Sequence, residues 1–218
     1  MAASAASSRF PPLYAIIDPS LARIPSALIA EKLADAGVRL IQLRNKKCGA
    51  GELLAKTRQL VAAVAHRGVK IIVNDRPDVA AIAEASGVHV GQEDLPVEEA
   101  RRICGVNRWV GVSTHNIEQL REAIATSADY IAVGPIFPTS TKENPDPLVG
   151  VEFVRVARKM TDKPLVAIGG ITLATAADVW KAGADSVAVI SDLMSAIDPA
   201  GVARDYLKAA ERALSLRE

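Results

Sequence analysis

VKIIVNDRPDVAAIAEASGVHVGQEDLP, residues 69–96, holds a strand, a short helix, a second strand and the start of another helix. VKIIVND (69–75) and GVHVGQ (87–92) are β-branched runs of strand length. PDVAAIAEAS between them has helical spacing, with Pro77 near its start, where the missing N–H costs nothing. Gly87 reads as the glycine that closes the helix. Both strands end on polar groups, Asn74 and Asp75 in one, Gln92, Glu93 and Asp94 in the other.

The same beat runs in both directions. LYAIID (13–18) and VRLIQLR (38–44) precede it; WVGVST (109–114), DYIAVGP (129–135), PLVAIGG (164–170) and SVAVIS (186–191) follow. Several are apolar without alternation, as strands buried on both faces of a parallel sheet must be. Ala- and Leu-rich helical segments separate them, many ending on a glycine such as Gly37, Gly68 or Gly183. Eight strands alternating with about eight helices predict an α/β fold, a (β/α)8 barrel (TIM barrel) at the short end of its range. A doubly wound open sheet would carry a Gly-rich first turn, whereas IIDPSLARI has no glycine there. No linker divides the chain. The expected organisation is a loose Ala/Ser-rich tail over 1–12 and one catalytic barrel over 13–218.

Composition narrows the partners. The formal net charge is +1 across 218 residues, which gives no reason to expect nucleic acid or a membrane surface. No stretch approaches the ~18 apolar residues of a spanning helix. Cys48 and Cys104 fit neither a disulfide framework nor a zinc site and read as free thiols of a cytoplasmic protein. A homo-oligomer is compatible with the sequence, which does not set the number of subunits.

Barrel enzymes work at the C-terminal ends of their strands, and useful polar residues collect there. Gln42, Arg44 and Lys46 stand at alternate positions and so share a direction in extended chain. Arg offers phosphate a planar fork, Lys a mobile charge; a solvated strand end is the alternative. Asp75 and Asp94 end consecutive strands. Each is either a cap for the helix after it or, as a pair beside a phosphate-binding cluster, a ligand for Mg²⁺. Gly169-Gly170 and the helix start after strand eight suit a second anion, held by backbone N–H groups. Of the histidines, His66 reads as surface and His89 as a satisfied interior group; His115 lies on the active face and could do acid–base work. Between strand six and its helix lies GPIFPTSTKENPDPLVG (134–150), with four prolines and three hydroxyl residues. A connector that long is expected to be a lid or binding segment over the barrel mouth.

QLRNK, VNDRPDVA, GVHVGQEDLP, GVSTHN, GPIFPTSTK, AIGGIT and VAVIS, in this order, closely resemble the thiamine-phosphate synthase family. The resemblance runs from about Leu13 to about Leu214. It implies a Mg²⁺-dependent transferase of thiamine biosynthesis, with small-molecule substrates. Such an enzyme couples 4-amino-2-methyl-5-hydroxymethylpyrimidine diphosphate to 4-methyl-5-hydroxyethylthiazole phosphate, through a pyrimidine carbocation, giving thiamine phosphate and diphosphate. Matched position by position, the resemblance places Gln42, Leu43, Arg44, Asn45, Lys46, Asn74 and Ser113 on the pyrimidine diphosphate. It assigns Asp75 and Asp94 to the metal and Lys142 to the departing diphosphate. Arg44, Lys46, Ser113 and Lys142 are thereby the expected catalytic set. Thr139, Ser140, Thr141, Gly170, Ile190 and Ser191 would hold the thiazole phosphate. Two rivals remain: a thiazole tautomerase, which needs no diphosphate–metal site, and a non-catalytic phosphate-binding barrel.

Overall fold

A computed structural model describes residues 10–139 and 146–216. Eight parallel strands pair in chain order, and the last returns to the first to close the barrel. They are β1 (Leu13–Ile17), β2 (Leu40–Leu43), β3 (Lys70–Asn74), β4 (Gly87–Val90), β5 (Trp109–Thr114), β6 (Tyr130–Val133), β7 (Leu165–Ile168) and β8 (Ser186–Val189). The crossovers of the described residues contain α1 (Ser26–Asp35), α2 (Ala50–Ala63), α3 (Pro77–Ile82), α4 (Val97–Cys104), α5 (Ile117–Ala125), α6 (Gly150–Met160) and α7 (Leu173–Lys181). After β8 come the single-turn α8 (Ser191–Met194) and α9 (Pro199–Leu214). The expected (β/α)8 barrel is the observed architecture. No helix among the described residues is long and apolar enough to cross a membrane.

Strand alternation sorts the apolar residues into two cores. Leu13, Ala15 and Ile17 of β1 point out to the helices, as do Ile71 and Val73 of β3. Tyr14 and Ile16 point into the barrel, where Leu40, Ile72, Tyr130, Val166 and Ala188 meet them. Burial on both faces is why these strands read as near-continuous apolar runs. Tyr130 fits inside because β5 offers Gly111 opposite it: a Cβ there would stand 2.0 Å from the Tyr130 ring.

The two ends of the barrel use their polar groups differently. At the strand starts, Asp129 accepts from Val110 N (2.7 Å) and pairs with Arg101, while Asp185 accepts from Leu165 N (2.8 Å) and pairs with Arg158. These bonds satisfy backbone donors that have no ladder partner, which is a structural task. Phe10 to Pro12, which the sequence groups with the tail, pack on this end. Phe10 stacks on Trp109, with ring centroids 5.3 Å apart, and Pro12 O accepts from Val187 N and from the indole of the buried Trp180.

One glycine has another task than expected. Gly87 does not close a helix but opens β4, where a Cβ would lie 2.2 Å from Trp109 O. Close approach of two strands requires it there, whereas Gly37 and Gly183 directly follow the end caps of α1 and α7 with the positive φ of helix-terminating glycines. Gly68, also at positive φ, stands beyond the end cap of α2, Val64.

Candidate active site

A cavity of about 460 Å³ opens at the C-terminal ends of the strands, within the range of small-ligand sites. Gln42, Arg44 and Lys46 all line it. Alternation also sets the positions between them: Leu43 packs outward among helix-facing residues, and Asn45 is outside the cavity wall, its carbonyl accepting from Cys48 Sγ. Asn74, Asp75, Asp94 and Ser113 join the wall, with Thr139, Gly170, Ile190 and Ser191 across from them. Ser140, Thr141 and Lys142 lie outside the described residues.

Neither aspartate caps a helix. Arg76 and Pro96 occupy the N-caps of α3 and α4, and neither side chain bonds the free N–H groups of its helix. Asp94 Oδ2 instead accepts from Gly91 N at 2.8 Å, fixing the turn after β4. Asp75 adopts φ 63°, in the left-handed region that Asp tolerates better than most residues. Burial raises its carboxyl to about 6; a hydrogen bond with Asp94 and the charge of Asp94 act in the same direction, and Lys46 opposes them. Lys46 Nζ lies 3.3 Å from Asp75 Oδ2. Two carboxylates in contact need a proton or a cation between them. Among the described residues, no group of three or more His, Cys, Asp or Glu side chains gathers to hold a metal alone. The donor set therefore fits Mg²⁺, which takes one or two carboxylates and completes its shell with water and substrate phosphate oxygens.

Arg44 is held by Asp18, a residue outside the expected site set. Its Nη1 donates to Asp18 Oδ2 at 2.6 Å, and Asp18 Oδ1 accepts from Ser20 N and Oγ. Asp18 is only 5 % exposed. It ends the first strand run, LYAIID, so the same strand-end bias pointed to it.

The floor of the cavity is a chain of hydrogen bonds through the barrel interior. Gln42 Nε2 donates to Tyr14 Oη (2.8 Å), which contacts Tyr130 Oη (2.9 Å). Tyr130 Oη reaches His89 Nδ1 (3.1 Å), and His89 Nε2 reaches Ser113 Oγ (2.9 Å). Burial lowers His89 to about 4, so it is neutral at pH 7, and holds both tyrosines well above their ordinary value. His89 is thus the satisfied interior group expected. The sequence gives no sign of the tyrosines' part, because both stand inside apolar strand runs.

His115 also lines the cavity and ties β5 to the long connector. Its Nδ1 bonds Gly134 O at 2.6 Å, and its Nε2 stands 3.5 Å from Asp146. Burial raises both cysteine thiols, leaving them protonated.

The profile of the family described as thiamine monophosphate synthase matches residues 13–193. The thiamine-phosphate synthase of Koribacter versatilis is 48% identical over 207 residues, 92% of this chain and 96% of that protein. That of Chloroflexus aurantiacus is 42% identical, over 88% and 89% of the two chains. Among solved structures, thiamine phosphate pyrophosphorylase from Pyrococcus furiosus superposes with a TM-score of 0.85 at 32% identity, covering 93% of this chain and 96% of the other. The chain belongs to the thiamine monophosphate synthase family.

Proposed function

We propose that this protein is a thiamine-phosphate synthase acting on two small anionic substrates. One observation carries the reading: a single cavity has Asp75, Asp94, Arg44 and Lys46 on one side and Gly170, Ile190 and Ser191 on the other. That arrangement suits a diphosphate with its metal facing a monophosphate. Neither the tautomerase nor a non-catalytic barrel requires the first set.

In this reading Arg44 and Lys46 bind the pyrimidine diphosphate, and the Asp18 carboxylate keeps the Arg44 guanidinium aimed. Gln42, Asn74 and Ser113 orient the ring. Mg²⁺ held by Asp75 and Asp94 would neutralise charge on the diphosphate. When the bond between the exocyclic carbon and the bridging oxygen breaks, the oxygen keeps the electron pair and Lys142 meets the charge that develops there. The thiazole nitrogen then gives its lone pair to the carbon, forming the new C–N bond. Thr139, Ser140, Thr141, Gly170, Ile190 and Ser191 hold the thiazole phosphate so that this nitrogen faces the cation. The site needs no nucleophilic side chain, in keeping with two protonated, unreactive cysteines.

The test is direct. Purified protein mixed with both substrates and Mg²⁺ should release thiamine phosphate and diphosphate in equal amounts, and chelation should stop the reaction. Folded protein that yields neither product from authentic substrates would overturn the proposal.

A further inference from the structure

With the Gln42 amide nitrogen turned toward Tyr14, proton accounting fixes the direction of the interior hydrogen-bond chain. Gln42 Nε2 is a donor, so Tyr14 Oη accepts from it. Among the described residues the Tyr14 proton then has one acceptor within reach, Tyr130 Oη. One contact holds one proton, so the Tyr130 hydroxyl must donate onward to His89 Nδ1. His89 is consequently the Nε2–H tautomer, donating to Ser113 Oγ. Ser113 keeps its own proton, and Gln42 Oε1, which has no part in the chain, is left as an acceptor; both residues line the cavity.

The other assignments fail the same count. If Ser113 donated to His89, or if His89 were doubly protonated, Tyr130 would have to donate to Tyr14. The Tyr14 proton would then be left inside the barrel without an acceptor, at the full cost of its desolvation. Tyr14 and Tyr130 are 1% and 0% exposed, so little room is left for water to take that proton. Only turning the Gln42 amide over reverses the chain, and it reverses every bond together.

We propose that Tyr14, Tyr130 and His89 are positioning residues that lock the two ends of this chain in opposite senses. Gln42 presents an acceptor and Ser113 presents a donor, so the site selects a ring offering a donor on one side and an acceptor on the other. An aminopyrimidine, with an exocyclic N–H and bare ring nitrogens, has that pattern. A ring with two acceptors or two donors at those places leaves one end unpaired. This specificity statement rests on the synthase reading; the direction of the chain does not.

Two measurements test it. ¹⁵N spectra of labelled histidine should show His89 as the Nε2–H tautomer in the unaltered protein. Gln42→Glu, with the new carboxylate ionised at alkaline pH, replaces the first donor by an acceptor. It should convert His89 to the Nδ1–H tautomer, although the two side chains do not touch. An Nδ1–H tautomer in the unaltered protein, or no change in Gln42→Glu, overturns the proposal. Tyr130→Phe keeps the ring that fills the barrel and removes only the relay hydroxyl. Tyr14 then finds an acceptor only if the Gln42 amide turns over, so KM for the pyrimidine diphosphate should rise about fivefold to tenfold, the worth of one buried hydrogen bond. KM for the thiazole phosphate should stay unchanged. Unchanged KM for both substrates also overturns the proposal. If no coupling occurs at all while the tautomer switches as described, the synthase reading fails and the relay stands.

Discussion

Asp75 and His89 carry opposite electrostatic signatures within one register step, since Asn74 pairs with His89 and Asp75 N donates to His89 O. Burial pushes His89 down from 6.5 to about 4. As pH falls through that interval the unfolded chain takes up the proton first, so this group's contribution to stability is lost on acidification. The loss is on the order of 3 kcal/mol over the window. Asp75 is raised from 3.8 to about 6, so its contribution is present at low pH and is lost as pH rises through about 6. The two trends oppose one another in the intact protein. Asp75→Asn should therefore expose the histidine's effect, a steep fall in urea-measured stability between about pH 6.5 and 4. His89→Gln should abolish that fall. Parallel stability–pH curves for the two variants would show that burial does not set these titrations. Asp75 and Asp94 were legible in the sequence because they end adjacent strands. Asp18 carries the same signal, since it ends the first strand run. Tyr14 and Tyr130 carried none, since beyond one another their partners, Gln42 and His89, arrive from two other strands.

At the scale of elements, the length of the β6–α6 connector was legible and its attachment was not. Ile136 N donates to Ile168 O (2.9 Å) and Phe137 N to Gly169 O (3.0 Å), so the connector first extends β6 along β7; Val149 N returns to Pro135 O. Such backbone pairing leaves no mark in side-chain pattern. Gly170 is where the two segments meet most tightly. Its φ is +62°, and a Cβ would stand 2.4 Å from Pro138 O and 2.8 Å from Phe137. Gly170→Ala should thus displace Phe137 and Pro138, and with them Thr139. We expect KM for the thiazole phosphate to rise at least about tenfold, and stability to fall by about 1–2 kcal/mol from the left-handed backbone alone. Gly150 supplies the control, with φ +74° and nothing within 4 Å of its Cβ position. Gly150→Ala should cost similar stability and leave KM unchanged. Equal KM effects in the two variants would trace the loss to backbone strain rather than to the connector's position.

Across the whole molecule, the (β/α)8 class followed from strand–helix alternation, and the working face from where polar residues gather. How the barrel is closed underneath did not, because FPP at 10–12 adjoins an Ala/Ser-rich run and has no periodicity. Phe10 lies on Trp109 with an interplanar angle of 14° and is 5.5 Å from the Tyr130 ring, while Lys70 Nζ sits 4.3 Å above the Trp109 ring. The stack thus backs the Tyr130 ring, whose hydroxyl links two residues of the cavity wall, Tyr14 and His89. Structural and functional tasks meet at Tyr130, yet its hydroxyl is held by Tyr14 and His89 and not by Phe10. Phe10→Ala should separate them. Removing a half-buried ring should cost about 2 kcal/mol, below the 3–5 kcal/mol of a fully buried Phe. That loss should lower Tm by several degrees. Both KM values should stay as they are, because the hydrogen-bond chain remains complete. A rise in KM for the pyrimidine diphosphate matching that of Tyr130→Phe would mean that the floor, rather than the relay, positions Ser113. An unchanged Tm would mean that the stack adds nothing to closure.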